Sequence, residues 1–109
     1  MLLNIFRNGA QAMQETETAS PRFMVRTRFE KELQMIRMEI EGNGPGMDEK
    51  TRKRVFEPFF TTKATGVGTG LSLSVSYFII TENHGGEMMV ESRPGAGATF
   101  IVRLPVKGA

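Results

Sequence analysis

The sequence predicts an α+β fold, a two-layer sandwich with helices on one face of a mixed, mostly antiparallel sheet. Three observations carry that prediction. Apolar residues recur at helical spacing from Leu2 to Met13. Two runs of alternating character, Phe23 to Phe29 and Leu33 to Glu41, follow with a short break between them, and a second such pair closes the chain after another helical stretch. The order is helix, strand pair, helix, loop, helix, strand pair, and with no internal repeat it suits helices laid on an antiparallel sheet better than a parallel βαβ array.

In the first helix, Leu2, Leu3, Ile5, Phe6, Ala10 and Met13 are the apolar set, while Asn4, Asn8 and Gln11 fall on the opposite side, giving one polar stripe. The polar segment "QETETASPR" reads as a loop. The first strand pair turns at "EK". In its second strand Ile36, Met38 and Ile40 share the inner face and Arg37, Glu39 and Glu41 the outer one, so Gly42 is expected to point inward. After the "GNGPG" loop, Asp48 is placed to cap a short helix running to about Phe56, which Pro58 ends. "TTKATGVGTG" has no apolar periodicity and reads as a glycine-rich loop. It leads into a helix over 71–83, expected to bury Leu71, Val75, Phe78 and Ile79 and to end at "HGG", where Gly85 or Gly86 takes the left-handed cap. "EMMVES" and "TFIVRLP" form the last hairpin, joined by "RPGAGA".

At 109 residues the chain is one domain with a single modest core. The absence of cysteine removes disulfides and thiolate metal sites, and makes a reducing, cytoplasmic setting the expectation. The apolar runs are too short to span a bilayer, so no membrane contact by this chain is expected. Its 14 Lys and Arg against 12 Asp and Glu leave a net charge of +2. The local cluster Lys50, Arg52, Lys53 and Arg54 reads as a solvated helix face beside Asp48 and Glu49, not as a nucleic-acid footprint. A single histidine leaves only oxygen ligands for a hard cation.

Taken in order, "LLNIFRNGAQAM", "GNGPG", "FEPFFTTK", "GTGLSLSV" and "HGGEMMVESRPGAGATFIVRLP" resemble the ATP-binding catalytic domain of two-component sensor histidine kinases of the nitrogen-regulation type. These share the Bergerat fold with gyrase, the ninety-kilodalton heat-shock chaperones and mismatch-repair ATPases. The resemblance runs from Leu2 to Pro105, and "FEPFFTTK" points to histidine kinases within that superfamily. It implies ATP and Mg2+ as ligands and one domain over residues 1–109. Asn8 matches the asparagine whose amide oxygen ligates magnesium, and Asn4 its neighbour near the phosphates; magnesium keeps several waters, so one amide plus a triphosphate suffices. Gly44 and Gly46 match the first glycine box, beneath the adenine. Phe56, Phe59 and Phe60 match the phenylalanine box, where packing of the flap's base on the core accounts for most of the role. Gly66, Gly68 and Gly70 match the flap and second glycine box, with Leu71 at the start of the following helix. Lys63 and Thr69 are expected to reach phosphate oxygens, although a solvated lysine is an equally good account of Lys63.

The resemblance also sets limits. His84, in the turn after a helix, matches a structural position and not the phosphoacceptor, which in this family lies on a separate dimerisation domain; no catalytic residue is therefore assigned. The expected partners are the dimerisation and histidine phosphotransfer domain of a parent kinase and, indirectly, a response regulator. Two departures stand out. The family reads "DNGPG" where this chain has "GNGPG", so Gly42 replaces the carboxylate that accepts a hydrogen bond from the adenine amino group. Alternation turns Glu41 outward and away from that role, and a water is the expected occupant of the space at Gly42. The family's domain also normally begins further upstream, so an uncovered sheet edge, and with it a homo-oligomer or strand-exchanged dimer, is expected here. Two functions are thus open: a kinase ATP-binding domain of weakened affinity, or a degenerate, non-catalytic interaction module descended from one.

Overall fold

The computed structural model describes residues 2–57 and 72–106. Helix α1 (Leu2–Glu15) is followed by strands β1 (Phe23–Glu30) and β2 (Met35–Gly42), helix α2 (Glu49–Arg54), helix α3 (Ser72–Phe78) with a π-helical continuation (Ile79–Asn83), and strands β3 (Glu87–Ser92) and β4 (Ala98–Pro105). The sheet order is β1-β2-β4-β3, and every pairing among the described strands is antiparallel. The α+β sandwich expected from the sequence is therefore the observed one.

Register follows from the alternation of apolar residues. Ile40 lies opposite Val25 and Phe100, and Met38 opposite Thr27 and Val102, so one face of β2 and β4 is continuously apolar. Ile5 of α1 and Leu73 and Ile80 of the α3 segment cover it, closing a core with Ile40, Met88, Val90, Phe100 and Val102. The opposite face carries ion pairs: Arg37 to Glu39 at 2.7 Å, Arg103 to Glu30 at 2.7 Å and to Glu87 at 3.0 Å. Such pairs near water contribute little individually. They do draw the protonation equilibria: the Arg37 guanidinium lowers the Glu39 pKa, and Glu30 and then Glu87 raise that of Arg103.

The β1–β2 connection is longer than the predicted "EK" turn. Lys31 to Gln34 form it, with Gln34 at φ +52° and its N–H on the Lys31 carbonyl at 3.3 Å, so β2 starts at Met35 and not at Leu33. Asp48 caps α2 as expected, its carboxylate accepting from the Thr51 N–H at 2.8 Å. The basic residues of α2 are exposed or half-buried, and three of them pair locally, Arg52 and Lys53 with Glu49 and Arg54 with Glu57.

The helical face of α3 needs a correction. Leu73, Ser76 and Ile80 are buried, whereas Val75 and Phe78 are 49% and 57% exposed, and Ile79 is half-buried; Leu71 lies outside the described residues. A fully buried serine breaks the apolar count on which the phase was judged. The wider π turn then shifts every side chain after Phe78 relative to an uninterrupted α-helix. The end of the segment follows the prediction: Gly85 adopts φ +64° and the Gly86 N–H bonds the Ile80 carbonyl at 2.8 Å.

Candidate functional site

The "GNGPG" loop leaves the end of β2 beneath the C-terminal half of α1, and three sets of contacts fix it there. Asn43 ties the loop to the α1–β1 connection: its Oδ1 accepts from the Arg22 N–H at 2.8 Å, its Nδ2 donates to the Ser20 carbonyl at 3.0 Å, and its own N–H donates to the Arg22 carbonyl at 3.3 Å. On the other side the loop docks on the β3–β4 turn. Ser92 accepts from the Met47 N–H at 2.8 Å and donates to the Gly97 carbonyl at 2.7 Å, while the Gly95 N–H donates to the Pro45 carbonyl at 2.6 Å. Gly46 sits at φ +73°, and a Cβ there would collide with the Arg93 carbonyl; one on Gly97, at φ +74°, would collide with the carbonyl of Gly42. Only glycine meets both demands at these positions.

The third contact is apolar and lies at Gly42. A Cβ on this residue would point, as predicted, to the helix side of the sheet, 2.8 Å from the Met13 Cε and 3.1 Å from the Phe23 Cε1. The expected water is thus displaced by side chains: Met13, only 4% exposed, holds its methyl against Gly42 and its Cγ against Gly44. Phe23 is fixed in turn by an edge-on contact with Phe6, ring centres 5.0 Å apart, and by α1 itself, since a Cβ on Gly9 would come within 2.7 Å of its ring. Glu41 faces the other side of the sheet, where its carboxylate meets Arg26 at 2.5 Å, and so cannot take the place of a carboxylate at position 42.

Among the predicted site residues, Gly42 and Gly44 are brought against α1 in this way, and Gly46 against the β3–β4 turn. Asn4 and Asn8 lie one turn apart in α1, and their side chains are outside what the structure describes. Phe59, Lys63, Gly66, Gly68, Thr69, Gly70 and Leu71 also lie outside the described residues, as does Phe60. Phe56 behaves as a packing residue, stacked on Tyr77 at 4.9 Å and edge-on to Phe100 at 6.2 Å. His84 is an exposed turn residue. An open groove of about 820 Å³ lies between α2, the α3 segment and β3; among the described residues it is lined by Phe56, Val75, Phe78 and Met88 and others, and not by Gly42, Gly44 or Gly46.

Sequence reasoning gave no role to Asn43, Ser92 or Gly97, which shape the loop. Asn43 was the one to find, because an Asn between two glycines is a common backbone-capping residue.

Comparison with known proteins agrees with this fold. Residues 1–108 match the family described as histidine kinase-, DNA gyrase B-, and HSP90-like ATPase. The chain is 41% identical over 105 residues to the sensor protein FixL of Bradyrhizobium diazoefficiens, covering 96% of this chain and 20% of that one. It is 42% identical over 106 residues to the signal transduction histidine-protein kinase AtoS of Escherichia coli, covering 97% and 16%. The chain thus spans a fifth or less of the length of these relatives. Among solved structures, a nucleotide-free catalytic domain of the histidine kinase ThkA superposes with a TM-score of 0.76 at 31% identity, over 95% of this chain and 63% of that one. Full-length ShkA, solved in complex with AMPPNP, gives 0.78 at 25% identity, over 95% and 20%. The chain belongs to the histidine kinase-, DNA gyrase B- and HSP90-like ATPase family and stands among its sensor histidine kinases.

Proposed function

We propose that the chain is the ATP-binding portion of a sensor histidine kinase, positioning Mg-ATP for phosphoryl transfer to a histidine carried on a separate dimerisation domain. The observation that carries this reading is the seat of the "GNGPG" loop, tied by Asn43 to the α1–β1 connection and by Ser92 to the β3–β4 turn, with Met13 of α1, the helix that bears Asn8, packed on Gly42 and Gly44. In phosphoryl transfer, positioning and charge neutralisation supply most of the catalysis, so a domain without the nucleophile still performs the enzymatic share. Asn8 is the residue assigned to the metal and Asn4 to the phosphate end. The donor set suits magnesium, which favours oxygen ligands and retains water. When bound, the ion neutralises charge on the β- and γ-phosphates. Lys63, Gly66, Gly68, Thr69, Gly70 and Leu71 are assigned to the phosphates on the resemblance alone, and Phe59 to the base of the flap.

A hydrogen bond to a charged group contributes about 1.5–3 kcal/mol, so the missing carboxylate at position 42 lowers nucleotide affinity about ten- to a hundredfold relative to a site that has it. The test is calorimetric titration of the chain with ATP, with and without magnesium. Binding that requires magnesium and is lost in Asn8→Ala supports the reading; binding that ignores both the metal and the substitution contradicts it.

A second reading, an interaction module that pairs with another copy of itself, draws on the helix-side residues at the β1 side of the sheet. Val25, Phe29 and Ile36 lie there and are 50%, 52% and 42% exposed. Light scattering separates the two uses: a concentration-dependent dimer favours the second, and a monodisperse monomer counts against it.

A further inference from the structure

Two glycines, one on α1 and one on β2, face the same aromatic ring. Gly9 on α1 and Gly42 on β2 flank the Phe23 ring from two sides, and Met13 completes the enclosure from above Gly42 and Gly44. The arrangement is a packed unit rather than a gap: the Phe23 ring is held by Phe6 and by the α1 backbone, and Met13 is buried. Every side chain against Gly42 in this set is apolar. A flat heteroaromatic ring meeting that wall would find a thioether methyl and an aromatic edge, and, among the described residues closest to Gly42, no side-chain donor or acceptor with which to tell an exocyclic amine from a carbonyl.

We propose that Met13 and Phe23 form an apolar stopper over Gly42, and that this chain consequently takes purine nucleoside triphosphates with little discrimination between adenine and guanine. The proposal rests on the nucleotide-binding reading given above and adds its base specificity. A site that reads a base through a buried polar partner rejects the analogue that leaves that partner unpaired; a site with no such partner has nothing to leave unpaired. The stopper also makes position 42 depend on position 13. A side chain added at 42 must move something, and the choice is set by mobility. Phe23 is hemmed in on two sides, whereas the obstacle on Met13 is the free end of an unbranched side chain with three rotatable bonds. A carboxylate introduced alone would be desolvated against the methyl and the ring edge. Shortening residue 13 at the same time opens the room it needs.

The experiment uses the whole chain and four forms of it: wild type, Gly42→Asp, Met13→Val and the double variant. Each is titrated with Mg-ATP and Mg-GTP, and each is melted without nucleotide. The wild type is expected to bind the two nucleotides within about threefold of each other, less than the tenfold that 1.4 kcal/mol would give. Gly42→Asp alone is expected to lower the melting temperature and to gain little selectivity. The double variant is expected to melt closer to Met13→Val than Gly42→Asp does to wild type, and to prefer ATP by about tenfold or more. If Gly42→Asp does not fold, the same thermal cycle with Gly42→Ala reads the coupling between the two positions.

A wild type that prefers ATP over GTP by tenfold or more overturns the inference while leaving the proposed function standing. So does Gly42→Asp giving full selectivity with no loss of melting temperature, because Met13 would then not be in the way. Absence of binding by either nucleotide in all four forms instead overturns the nucleotide-binding reading itself, and the base tolerance with it.

Discussion

The two ends of the "GNGPG" loop lack side chains for different reasons. At Gly46 the obstacle to a Cβ is backbone, the carbonyl of Arg93, and the residue also sits at positive φ. At Gly42 the nearest obstacle is the tip of Met13, and no unusual φ is involved. Backbone held in a sheet and a docked turn does not yield, whereas the end of a methionine does. The same residue type thus marks an absolute steric demand at one end and an adjustable packing arrangement at the other.

Substitutions along the loop sharpen that contrast. Gly46→Ala combines a left-handed backbone with a collision against main chain and is expected to cost more than about 3 kcal/mol, enough to abolish folding in a small domain; urea denaturation against wild type measures it. Ser92→Ala leaves the Met47 N–H without its partner where loop and hairpin meet, and a loss of about 1–3 kcal/mol is expected in the same experiment. Gly42→Ala, opposed mainly by a movable methyl, is expected to cost about 1 kcal/mol. A cost at Gly42 equal to that at Gly46 would erase the distinction.

The smallest expected effect concerns pH. The Thr51 N–H lowers the Asp48 pKa below its ordinary value. A carboxylate with a depressed folded-state pKa stabilises the fold above its unfolded pKa, and that contribution is lost as pH falls through the folded value. The cap therefore weakens only under acid conditions, below about pH 4. Thermal melts of wild type and Asp48→Asn between about pH 6 and pH 2 should converge at the acid end, because the amide has no charge to lose; parallel curves throughout would show that the charge at Asp48 does not matter.

Much of this site was legible in local pattern. Alternation along β2 placed Gly42 inward and Glu41 outward, and the structure bears out both, because a one-residue slip would also have turned out Ile40 and Met38. Asp48 and Gly85 were legible as caps for the same reason, since their partners lie within a few residues. What escaped was contact between segments distant in sequence. Ser92 meets Met47 across 45 residues, and Asn43 meets Ser20 across 23. Neither pairing leaves a periodic trace. Met13 was legible as a core residue of α1 but not as the occupant of the space at Gly42, because that depends on where the helix crosses the sheet. The face of α3 was misjudged at Ser76, whose burial no apolar count anticipates, and at the π turn that follows it.

If the wall at Gly42 is apolar and the ligand is held at its other end, affinity should reside in the metal-bound phosphates. The most direct measurement is the melting temperature of the wild-type chain with magnesium and, in turn, ATP, inorganic tripolyphosphate and adenosine, each repeated with a chelator. A ligand at a hundred times its dissociation constant adds about 2.7 kcal/mol, well within reach of a melt. The account predicts that ATP and tripolyphosphate both raise the melting temperature, that the chelator removes both effects, and that adenosine does little. Stabilisation by adenosine without any by tripolyphosphate would contradict it.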